Sequence, residues 1–135
     1  MIRSMLIASV CLFAVPAYAQ EFTASLSGAK EVPATDTKGS GTATVTLDGD
    51  KITYEMTYKD LTGPATAAHI HGPADPGANA GVAIPFKEAA SPTKGAATLT
   101  AQQVADLRAG KDYVNIHTAK NPGGEIRGQL RKVGP

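Results

Sequence analysis

The chain is dominated by short segments in which apolar and polar side chains alternate one for one, each closed by Gly, Pro, Asp or Asn. A period of two puts successive side chains on opposite faces of an extended strand, so each segment can bury one face and wet the other. Glu21 to Ser27 places Phe22, Ala24 and Leu26 together. Gly41 to Leu47 sets Ala43, Val45 and Leu47 against Thr42, Thr44 and Thr46. Asp48-Gly49-Asp50 then turns the chain into Lys51 to Tyr58, where Ile52, Tyr54, Met56 and Tyr58 oppose Thr53, Glu55 and Thr57, the clearest hairpin in the sequence. Further strands are expected at Ala67 to His71, Val82 to Phe86, Ala96 to Leu99, Tyr113 to Thr118 and Glu125 to Leu130. Thr100 with Gln103 forms a capping box, Val104 and Leu107 follow at helical spacing, and Gly110 ends the segment, which predicts one short helix. Gly72 to Gly81, with two Pro and with Gly at both ends and in the middle, reads as a loop. About eight strands and one short helix predict an all-β fold, a Greek-key antiparallel β-sandwich or flattened barrel.

The first nineteen residues stand outside that pattern. Met1-Ile2-Arg3 is a positive start, Met5 to Val15 is apolar, and Ala17-Tyr18-Ala19 is a small-x-small site before Gln20. This predicts a signal peptide over residues 1–19, cleaved after Ala19, and a single domain over 20–135 that is periplasmic or secreted. A membrane anchor would need about 20 apolar residues, whereas this run is shorter and stops at Pro16. Cys11 is the one cysteine, and it lies inside the leader without the Leu and small-residue pattern of a lipid-anchoring site. The expected mature chain has no thiol, so disulfides, thiol redox chemistry and thiolate metal sites are excluded there.

Charge narrows the partners. The chain carries 13 basic and 12 acidic side chains, and losing Arg3 with the leader leaves the counts equal. With no basic surplus to neutralise phosphates, nucleic acid is not an expected partner. Three Phe, four Tyr and no Trp are too few rings for a base-stacking platform. No Ser-His-Asp or paired-carboxylate arrangement supports hydrolysis.

The three histidines carry most of the remaining information. His69 and His71 are two apart on an expected strand, so both imidazoles leave the same face, with Cα atoms roughly 7 Å apart. His117 lies on a second strand, opposed by Ile116 as His69 and His71 are opposed by Ile70. If the two strands meet, three imidazoles converge into a metal site with an open position. Such a site suits copper, and zinc after it, since copper binds more tightly by the Irving–Williams order. Each histidine read alone is a surface or hydrogen-bonded structural residue. Tyr113 and Asn115 share the face of His117, so either could orient an imidazole. Arg127 could present a cation to an anion near the metal, or pair structurally with Glu125 or Asp112. Asp75 and Glu125 have no predictable position near the histidines, and Met56 reads as core. Asn121-Pro122-Gly123-Gly124 is turn chemistry.

Three ordered motifs carry a resemblance. Ala68-His69-Ile70-His71-Gly72-Pro73-Ala74, Leu107-x-x-Gly110-x-x-Tyr113-Val114-Asn115-Ile116-His117-Thr118 and Asn121-Pro122-Gly123-Gly124-Glu125-Ile126-Arg127-Gly128-Gln129-Leu130 resemble the CHRD domain over Glu21 to Arg131. That resemblance implies a secreted β-sandwich. A second one is to the copper site of copper-zinc superoxide dismutases, which implies His69, His71 and His117 as copper ligands and Arg127 as the anion-guiding residue. No histidine here matches the one that bridges copper to zinc, so this resemblance implies a mononuclear site. Two functions follow as expectations: an exported copper-binding protein for holding, delivery or dismutase-like redox chemistry, or a non-enzymatic interaction module whose Gly72 to Gly81 loop contacts a protein partner.

Overall fold

The computed structural model describes residues 18–134. The expected signal peptide therefore lies outside the described residues, apart from Tyr18 and Ala19.

Among the described residues nine strands and one α-helix follow in the order β1 (Gln20–Ser27), β2 (Ser40–Asp48), β3 (Lys51–Lys59), β4 (Ala65–His71), β5 (Val82–Pro85), β6 (Thr93–Thr98), α1 (Ala101–Arg108), β7 (Tyr113–Thr118), β8 (Ile126–Gln129) and β9 (Arg131–Lys132). They form one antiparallel sheet ordered β5-β4-β7-β8-β1-β2-β3-β6, with β9 added beside β1. The sheet folds over on itself as a flattened, nearly closed barrel. The chain crosses from one half to the other after β3, after β5 and again through α1, so β4 and β7 become neighbours although some forty residues separate them.

Alternation decides what goes inside. Phe22, Val45 and Ile52 are fully enclosed on the β1–β2–β3 half, and Val114, Ile116 and Ile126 face them from β7 and β8. Each such side chain contributes roughly 1.5–3 kcal/mol by leaving water. The sheet register keeps these residues aligned, with Phe22 opposite Val45 and Val45 opposite Tyr54. Tyr54 then stacks on Phe86 at 3.9 Å, bringing β3 against the segment that follows β5 and drawing the two ends of the sheet together.

The expected elements differ from these in places. β5 ends at Pro85 because Phe86 turns inward, its N–H donating to the Ala68 carbonyl while its ring reaches Tyr54. β6 begins at Thr93, ahead of the expected Ala96, and continues through Gly95, where a Cβ would stand 2.2 Å from the Tyr54 hydroxyl. The last expected strand is divided: β8 stops at Gln129, Leu130 donates its N–H to the Asp112 carbonyl, and β9 pairs with β1. A 3₁₀ turn at Gly28–Lys30 was not expected from the sequence. α1 has the predicted capping box between Thr100 and Gln103, and Leu107 is its one buried side chain. Among the described residues no helix is long and apolar enough to cross a membrane.

Candidate metal centre

The β4–β7 pairing places His69 opposite Asn115, His71 opposite Tyr113 and Ala67 opposite His117. Because Ile70, Val114 and Ile116 occupy the core side, all three imidazoles are forced onto the outer face of the same two strands. Their ring centroids are 5.3 Å apart for His69 and His71, 4.8 Å for His69 and His117, and 5.9 Å for His71 and His117. One nitrogen from each ring lies within 4.8 Å of the others.

Hydrogen bonds select those nitrogens. The His71 Nδ1 is 3.0 Å from the Ala80 carbonyl and the His117 Nδ1 is 2.8 Å from the Pro122 carbonyl. A carbonyl only accepts, so in both rings Nδ1 carries the proton and Nε2 presents a lone pair. His71 is buried, and its Nε2 has no hydrogen-bond partner. His117 Nε2 lies 3.0 Å from His69 Nδ1. The nitrogens that could meet a metal ion here are therefore His69 Nδ1, His71 Nε2 and His117 Nε2. Two nitrogens each about 2.0–2.1 Å from one ion are at most about 4.1 Å apart. The His69–His117 separation already suits neighbouring ligands, and the widest gap, within 4.8 Å, exceeds that limit by less than 1 Å. Donor chemistry, spacing and an orphaned buried nitrogen all fit a metal ion.

Electrostatics favours the ligand form. Burial lowers the His69 pKa, and the neighbouring His117 and His71 lower it further. Burial likewise lowers His71, against the hydrogen bond to Ala80. Both rings are held neutral, as coordination requires.

The other candidates form the support. Tyr113 lies parallel to His71, with 1° between the planes and 4.9 Å between centroids, and its hydroxyl exchanges hydrogen bonds with the N–H and carbonyl of Ala80 at 3.1 and 3.2 Å. Arg127 sits over the Tyr113 ring, its Cζ 3.9 Å from the centroid. It pairs with neither Glu125 nor Asp112. Nε donates to Glu31 at 3.2 Å, Nη1 to the Ala78 carbonyl at 3.0 Å and Nη2 to Asn79 Oδ1 at 2.6 Å. Arg127 and Glu31 are both buried, which pushes the Glu31 carboxyl up against the pull of the guanidinium. Asn115 is buried between these groups, and its Oδ1 is unpartnered. Gly124 at φ 124° leaves room there, since a Cβ would come within 2.6 Å of both Asn115 Nδ2 and Glu31 Oε1.

Sequence reasoning missed the two carbonyls that orient the imidazoles, because a backbone acceptor has no residue signature. It also missed Glu31, an isolated acid in a turn. Asp75 pairs with Lys111 on the surface. Met56 is core. Glu125 serves neither Arg127 nor the histidines. It is fully buried and accepts from Thr37, Thr62, Thr118 and Asn121.

Comparison with curated proteins and with solved structures gives no significant match. The family model of the CHRD domain matches residues 22–130, a span that runs from the first strand to the end of β8 and includes all three histidines, and the chain belongs to the CHRD domain family.

Proposed function

We propose that this chain is an exported metal-binding protein that holds one copper ion on His69, His71 and His117. Its task on this reading is to keep and hand on the ion, or to use it on a small oxygen species. The supporting observation is the convergence of three imidazoles, two of them oriented by backbone carbonyls, around a buried Nε2 that has no other partner. All-imidazole ligation suits copper first and zinc second.

His69 and His117 are partly exposed, so an ion bound there keeps an approach from solvent. Bound copper would supply one-electron exchange. The likeness to copper-zinc superoxide dismutases rests on the histidines. The Arg127 cation is buried, neutralised by Glu31 and committed to the Gly72 to Gly81 loop, which favours holding and delivery over chemistry that depends on a steering cation.

A copper titration of the metal-free chain, residues 20–135, tests this. One ion should bind per chain, and binding should be lost in His69→Ala and His117→Ala. Metal-free purification together with unchanged stability in those variants would sink the proposal and leave the interaction module. Export is tested separately by N-terminal sequencing of the exported protein, which should begin at Gln20.

A further inference from the structure

The Gly72 to Gly81 loop reads from sequence as an exposed connection, yet its polar groups turn inward. Ala74 N–H donates to the Lys111 carbonyl at 2.8 Å, and Gln129 Nε2 donates to the Ala74 carbonyl at 2.9 Å. Gly72 N–H closes the loop on the Gly81 carbonyl at 3.2 Å. At its far end Arg127 takes Ala78 and Asn79, the Tyr113 hydroxyl takes both backbone groups of Ala80, and Asn79 Nδ2 reaches the Val32 carbonyl at 3.1 Å. Ala80 then contacts the site, because its carbonyl holds the His71 Nδ1–H.

We infer that Tyr113 and Arg127 are positioning residues for the metal centre: by clamping Ala78 to Ala80 they hold the carbonyl that fixes the tautomer of His71 and aims its Nε2 at the ion.

The inference deepens the metal-binding reading and rests on it for its function, but its geometry exists without metal. A neutral imidazole otherwise distributes its proton between two nitrogens and turns about χ2. The Ala80 acceptor removes the first freedom, and the parallel Tyr113 ring removes the second. The tautomer would not stay pinned if Ala80 moved away, and nothing in Ala80 itself keeps it there. Arg127 is suited to the clamp because a planar guanidinium can donate in three directions at once, here to Glu31, Ala78 and Asn79, while its face rests on Tyr113. A lysine offers neither the fork nor the flat face. By reciprocity, an ion that prefers the clamped His71 must also tighten the loop.

Tyr113→Phe and Arg127→Lys test this with two readouts. Tyr113→Phe keeps the ring against His71 and deletes only the bonds to Ala80, so it guards against an Arg127 variant that fails to fold. Thr100→Ala, which deletes the N-cap of α1 and none of the bonds to Ala78, Asn79 or Ala80, controls for lost stability alone. In the metal-free chain, ¹⁵N NMR of the His71 ring should show the Nδ1–H tautomer in the parent and in Thr100→Ala, and a mixture in the other two. Copper affinity, measured by chelator competition, should fall about 10–100-fold in those two, the range for lost partners of a metal ligand, with one ion still bound per chain. An unchanged tautomer in folded Tyr113→Phe and Arg127→Lys overturns the inference whatever the metal result. A parent that binds no copper, yet shows the pinned tautomer released by both variants, overturns the metal reading and upholds the clamp.

Discussion

Replacing Glu125 by Gln should cost about 3 kcal/mol at neutral pH and abolish most of the protein's acid sensitivity between pH 4.5 and 2. The carboxylate is fully buried with no cation beside it. Its ionised form is instead held by donors. Oε2 accepts from the Thr37 hydroxyl at 2.9 Å and the Thr62 N–H at 3.0 Å, while Oε1 accepts from the Thr118 hydroxyl at 2.8 Å, Asn121 Nδ2 at 3.1 Å and the Thr62 hydroxyl. Burial alone would raise the pKa, but these bonds overcome it and bring the carboxyl down to about 2 from an ordinary 4.5.

The sign follows from the proton count. A depressed pKa means that the unfolded chain takes up a proton the native state refuses, so the stabilisation is complete above about pH 4.5 and is lost as pH falls through 2. A depression of about 2.5 units corresponds to about 3 kcal/mol at 1.36 kcal/mol per unit. The amide of Gln places an NH₂ against groups that also donate, whichever way it is turned. The hydroxyls can rotate to accept, but the Thr62 N–H cannot, and the charge assistance is lost. Urea unfolding at a series of pH values measures both effects. The parent should lose stability across that acid range and Glu125→Gln should not, the two curves converging towards pH 2. A variant within about 0.5 kcal/mol of the parent at pH 7, or a gap that persists undiminished at pH 2, refutes the reasoning.

Asp112 should behave in the opposite sense. Burial, with Asp106 nearby, raises its pKa to about 7, so its stabilisation is present below the ordinary carboxyl range and lost as pH rises through 7. Asp112→Asn should therefore raise stability at pH 8 by up to about 4 kcal/mol, about three units at 1.36 kcal/mol each, and flatten the neutral limb, as denaturant titration will show. Copper occupancy should survive below pH 6.5, because burial lowers His69 and His71 from that value, and should be lost with further acidification; retention unchanged at pH 4.5, read by dialysis and metal analysis, points to other ligands. Leu107→Ala should cost about 3 kcal/mol in thermal unfolding, since Leu107 is the one buried side chain of α1; a loss under 1 kcal/mol would mean that the helix does not hold the barrel closed.

Legibility followed the range of the interaction. The β2–β3 hairpin was readable because turn residues and alternation agree over one contiguous stretch. The short helix was readable because its cap is local. The start of β6 is not legible, because a glycine such as Gly95 weakens a strand on local grounds and only Tyr54, from another strand, gives it a reason to be there. The common face of His69, His71 and His117 followed from alternation. Their convergence did not, because it depends on β4 meeting β7 after two intervening strands and a helix.

What stayed hidden has a common physical origin. Glu125 and Arg127 flank Ile126, which is in the core, so alternation sends both charges to the outer face, where a solvated pair would be the ordinary outcome. Both are buried because loops close over them, and each supports a loop that touches one imidazole. Glu125 gathers Thr118 and Asn121 around the turn whose Pro122 carbonyl orients His117. Arg127 gathers Ala78 and Asn79 beside the Ala80 carbonyl that orients His71. The two imidazole nitrogens turned toward the histidine cluster are thus set by backbone atoms, and those by buried charges one residue either side of a core position. The residues that shape the site therefore lie in Glu125-Ile126-Arg127 as much as in the histidines, and a substitution there should alter metal affinity without touching a ligand.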